Sequence, residues 1–68
     1  MFEKVMRRLA EQTNCFCEID GNTARLIEKD KHGNPSKEVW AKTFILSGSN
    51  VTVKVHGRTM MVPLASLT

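Results

Sequence analysis

The apolar side chains of this chain change their spacing once, near Asn14, and that change limits the folds open to it. Phe2, Val5, Met6, Leu9 and Ala10 recur at i, i+3, i+4, i+7 and i+8, the spacing of one buried stripe on an α-helix. Beyond Asn14 the period drops to two. Cys15, Cys17 and Ile19 alternate with Phe16 and Glu18, while Val51, Val53 and Val55 alternate with Thr52, Lys54 and His56. That is the pattern of strands with one buried face. A helix of about three turns barely holds in water by itself, so its stripe must lie on the strands.

Turn chemistry divides the remainder. Thr13 and Asn14 suit a helix stop, because Asn tolerates left-handed backbone angles. Asp20-Gly21 reads as a hairpin turn, Asp30 to Ser36 as the most loop-like stretch, Ser47-Gly48-Ser49-Asn50 as a second turn and Gly57-Arg58 as a third. The helix is then expected over residues 2–12 and strands over 15–19, 23–29, 38–46, 51–56 and 59–64. Pro63 lacks a ladder donor and belongs on an edge. Connections this short favour a meander of neighbouring strands. The expected fold is therefore α+β, one domain over residues 1–68. Its N-terminal amphipathic helix packs on a five-stranded antiparallel meander, either open or curled into a small barrel. One helix followed by five short strands resembles the element order of Sm-like and other SH3-like barrels. The resemblance is one of architecture and carries no binding residues with it.

The chain has 68 residues, 41% of them hydrophobic and 25% charged, an ordinary globular balance. A domain this short buries only about 60% of its unfolded surface, and small domains gain from a disulfide, a metal or a partner. The formal charge is +3, unevenly spread. Up to Ser36, six basic residues meet six acidic ones; beyond it Lys37, Lys42, Lys54 and Arg58 face only Glu38. A positive field over that half attracts phosphate backbones or an acidic protein surface. Charges punctuate the first twelve residues, unlike a secretory leader, and no apolar run approaches the roughly 20 residues of a bilayer span. With only two cysteines, a cytoplasmic location is the expectation, without membrane contact.

Metal or catalytic chemistry has weak support. Cys15-x-Cys17 puts two sulfurs on one strand face, and His32 and His56 could complete a tetrahedral set. One intervening residue is too few for a zinc knuckle, however. Sharing a face with Ile19, the thiols read as small core hydrophobes. Asp30-Lys31-His32-Gly33-Asn34 echoes a calcium loop, but its glycine is out of phase and the closing carboxylate is missing. No nucleophile elbow or phosphate-cradling glycine loop occurs, and a pocket of several hundred Å³ is hard to place in one chain of this size. No enzyme activity, cofactor or metal is expected.

Binding is the better expectation. Lys42, Lys54, His56 and Arg58 form a donor set for phosphate oxygens, with Trp40 as a stacking residue for a base. The leading reading is thus a nucleic-acid-binding module, for RNA or DNA, using a basic C-terminal β face. Leu26-Ile27, Phe44-Ile45-Leu46 and Met60-Met61-Val62 put apolar groups on both faces of their strands, so a second surface needs cover. The alternative is a protein–protein module: an oligomeric, regulatory or inhibitory protein, such as a mobile genetic element encodes, docking through Trp40, Phe44 and Met61. A homo-oligomer is expected under either reading.

Overall fold

The computed structural model describes residues 1–36 and 41–68. It contains one helix, α1 (Phe2–Thr13), and five strands: β1 (Cys15–Asp20), β2 (Thr23–Glu28), β3 (Lys42–Ser47), β4 (Asn50–Val55) and β5 (Arg58–Pro63). A single 3-10 turn, η1 (Leu64–Leu67), follows. The strands form one antiparallel sheet in the order β1-β2-β3-β4-β5. β1 and β5 are its two edges, so the sheet is an open meander and not a closed barrel.

The helix stops where the sequence indicates. Asn14 sits at φ 56, ψ 50, in the left-handed region, and its N–H donates back to the carbonyls of Ala10 and Glu11. Thr13 Oγ1 donates to the carbonyl of Leu9 at 2.7 Å, satisfying one acceptor of the last turn. Phe2, Val5, Met6 and Ala10 are buried, and they meet Ala24, Leu26, Phe44, Val51 and Val53 from the sheet. Met6 and Val51 are fully enclosed. Each such side chain contributes about 1.5–3 kcal/mol through the water it leaves behind.

Strand pairing fixes two faces. The pairs Cys17↔Leu26, Phe44↔Val53 and Val51↔Val62 put Cys15, Cys17, Ile19, Ala24, Leu26, Phe44, Leu46, Val51, Val53 and Val55 on the helix side. The outer face carries Phe16, Ile27, Ile45 and Met61, with Glu18, Arg25, Thr52 and Lys54 among them. Cross-strand partners share a face, which follows from the period of two.

Two turns lie one residue away from the expected pair. The first hairpin turns on Gly21-Asn22, with Asp20 closing β1. Gly21 holds φ +61, while Asn22 binds β3: its Nδ2 donates to the Leu46 carbonyl at 3.0 Å and its own carbonyl accepts from Leu46 N at 2.7 Å. The third turns on His56-Gly57, not Gly57-Arg58, with φ 53 and 77. A type I′ turn needs positive φ at both central residues. Arg58 would bear that strain if the turn were one residue later, so it begins β5 instead. Asp30 serves its own loop: Oδ1 accepts from the N–H groups of His32 (2.8 Å) and Asn34 (2.9 Å). The expected start of the third strand, residues 38–40, lies outside the described residues.

Candidate functional site

The helix lies chiefly over β1 and β2, and η1 packs against it. The helix-side face of β3, β4 and β5 is therefore only partly covered. What remains is an open groove of about 780 Å³. Phe44, Val53, Val55 and Met60 contribute its apolar lining, with Leu9 of α1 and Leu67 of η1 facing them. Lys42, His56 and Arg58 also line it, and all three come from one end of the sheet: the start of β3, the β4–β5 turn and the start of β5. Among the described residues lining this groove there is no carboxylate.

Register explains the convergence. Arg58 pairs with Val55 and Lys42 with Leu26, so both belong to the helix-side face. Lys54 pairs with Thr43 and Thr59 and belongs to the outer face. His56 was expected to follow Lys54 outward along the strand. Instead it occupies the turn, and its left-handed backbone brings it to the groove. The four expected phosphate contacts thus share one end of the molecule but divide between faces: Lys42, His56 and Arg58 on the groove side, Lys54 behind. Trp40 lies outside the described residues.

The expected interface pair divides as well. Phe44 is 4% exposed on the helix side, whereas Met61 is 66% exposed on the outer face. Met60, exposed by 54%, was named from the sequence only within the two-faced run Met60-Met61-Val62 and not as a site residue, yet it is the most open apolar side chain described in the groove. Its signal was its position opposite Val53, which a register would have revealed. η1 was missed too. The spacing of Leu64 and Leu67 after Pro63 was its signal, since a turn of three residues puts i and i+3 on one side.

Electrostatics separate the two halves of the chain. The ion pairs among the described residues are Arg7–Glu3 at 3.2 Å along the helix and Arg25–Glu18 at 3.5 Å across β1 and β2. Both are exposed and contribute little. Lys29 Nζ sits 5.1 Å from the centre of the Phe16 ring. Among the described residues, no carboxylate lies within ion-pairing distance of Lys42, Lys54 or Arg58.

The cysteines are free thiols packed against the core. Thr13 Oγ1 lies 3.3 Å from Cys15 Sγ. Burial pushes the Cys17 thiol above its ordinary pKa, against an opposing pull from Arg7 and with a smaller push from Glu3. Burial thus favours the neutral thiol at Cys17, a poor nucleophile. Among the described residues, no group of three or more His, Cys, Asp or Glu could hold a metal ion. No helix there is long and apolar enough to cross a membrane. No family model, curated protein or solved structure matches this chain.

Proposed function

We propose that this chain is a non-enzymatic binding module whose groove takes an apolar segment of a partner protein flanked by acidic residues. The lining of the groove is the observation that supports this reading: apolar side chains in the middle, Lys42, His56 and Arg58 at one end, and no carboxylate among the described lining residues. Apolar burial supplies affinity at about 25 cal/mol per Å² before the costs of association. Rim cations add orientation and speed of encounter more than affinity. A partner with Asp or Glu beside its apolar anchor satisfies both demands.

A nucleic-acid ligand keeps one supporting feature, the gathering of Lys42, Lys54, His56 and Arg58 at one end of the sheet. Two features weigh against it. Lys54 lies behind the sheet, so a phosphate backbone would have to bend round the β4–β5 turn to meet all four. Among the described residues, the only aromatic ring in the groove is Phe44, which is almost wholly buried and unsuited to stacking on a base.

A photoreactive amino acid at position 60, introduced in expressing cells, tests the two readings directly. The expected result is a discrete protein adduct, distinct from twice the chain mass, that disappears in Arg58→Glu and Lys42→Glu variants. Adducts sensitive only to nuclease would replace the protein reading with the nucleic-acid one. An absence of both would remove the groove as a binding site.

A further inference from the structure

The free edge of β5 carries a pattern of its own. In a two-residue hairpin the flanking residues exchange both backbone hydrogen bonds, and bonded and non-bonded pairs then alternate along the ladder. Val55–Arg58, Val53–Met60 and Val51–Val62 are the bonded pairs by this rule. The hydrogen bond from Leu64 N to the Ser49 carbonyl, 2.9 Å, continues the series. The backbone groups of Thr59 and Met61 therefore point away from β4, whereas the Pro63 carbonyl is taken within its own chain, accepting from Ser66 Oγ at 2.7 Å. Pro63 occupies a non-bonded position, where its missing N–H costs the sheet nothing.

The two edges differ in charge. β1 carries Glu18 and Asp20 on its outer face, the kind of acidic edge that opposes self-pairing. From residue 59 to 63, β5 has no charge at all: Thr59, Met60, Met61, Val62 and Pro63. Met60 and Met61 are both more than half exposed, one on each face.

We infer that two copies of this chain associate through antiparallel pairing of their β5 edges, in a two-fold register centred on Met61. A two-fold axis normal to the sheet keeps each face with its own kind, so opposed residues must have the same parity. Centred on Met61, that residue meets the partner's Met61, Met60 meets the partner's Val62, and Thr59 meets the partner's Pro63. The Met61 pair exchanges two backbone hydrogen bonds. Pro63 closes the ladder on either side, because it has no N–H and its carbonyl already accepts from Ser66 Oγ, which gives the pairing its ends. The two Arg58 side chains stand about six residues apart along the seam, roughly 20 Å, well beyond the Debye length at physiological salt.

Pairing of this kind covers both exposed methionines at once. It also joins the two grooves, because the partner's Val62 lies beside Met60 on the groove side. The inference does not rest on the identity of the groove's ligand, and its failure would leave the groove reading intact.

Sedimentation over a concentration series reads the association, and far-ultraviolet circular dichroism reads the fold. The expected result is a mass rising from the 7.7 kDa of one chain to twice that value and no further. In Met61→Lys, two like charges face each other across the seam. That variant is expected to keep its circular dichroism while its dimer dissociation constant rises at least about tenfold. Arg25→Ala, on the outer face away from the seam, is expected to associate like the parent chain. A single-chain mass at all concentrations, unimpaired association of Met61→Lys, or a mass beyond two chains would each overturn the two-fold β5 seam. The last would indicate head-to-tail pairing of β5 with β1.

Discussion

His56 holds the least comfortable backbone of the groove. Its φ of 53 falls where L side chains other than Asn and Asp pay for the close approach of Cβ to the following carbonyl. An Asn-Gly pair is the favoured occupant of a type I′ turn, and His56-Gly57 departs from it by one residue. Asn14, at φ 56, is the contrasting case, since there the left-handed position already has a suitable side chain. Replacing His56 with Asn is expected to raise stability by about 0.5–1 kcal/mol, read as a higher urea midpoint at constant slope. The same variant removes the imidazole from the groove rim, so photocrosslinking from position 60 should weaken while the fold strengthens. A lower midpoint would mean that the imidazole holds the turn through contacts worth more than the backbone strain.

The elements themselves were legible because each depends on local chemistry. The change of period at Asn14 gave the helix and the strands, and Gly21, Gly48 and Gly57 marked the three tight turns. Faces were less legible. Moving the third turn from Gly57-Arg58 to His56-Gly57 begins β5 at Arg58 and takes His56 out of its strand, and sequence spacing cannot distinguish two turns that both contain Gly57. The groove was hidden for a different reason. It exists because a helix of 12 residues is narrower than five strands, and the width left over depends on where α1 docks. That docking rests on Met6, fully buried between the helix and the sheet. Met6→Ala is expected to cost about 2–5 kcal/mol, which for a domain with so small a core threatens the folded state itself. Chemical unfolding, at a protein concentration low enough to keep single chains, compared with Met61→Ala, an exposed methionine there expected to change stability by less than about 0.5 kcal/mol, checks this. Equal losses in the two variants would place α1 elsewhere.

At the scale of the whole molecule, the arrangement balances a short core against a wide sheet. Among the described residues, nine buried hydrophobic ones hold one helix on five strands, and the uncovered side of β3, β4 and β5 keeps apolar surface in water. A chain this short has a thin margin of stability, and any species that binds only the folded state adds to that margin by mass action. A second copy at the β5 edge is such a species. Each tenfold rise in protein concentration above the dissociation constant should then favour the folded dimer, and the thermal midpoint should rise with concentration. Met61→Lys separates this effect from ordinary stability. Its midpoint is expected to match that of the parent chain at the lowest concentration and to stay flat where the parent's climbs. Differential scanning calorimetry over a hundredfold concentration range provides the measurement. A flat midpoint in the parent chain would mean that the exposed methionines of β5 add nothing to folding through self-pairing, leaving the proposed acidic partner of the groove as the remaining source of cover.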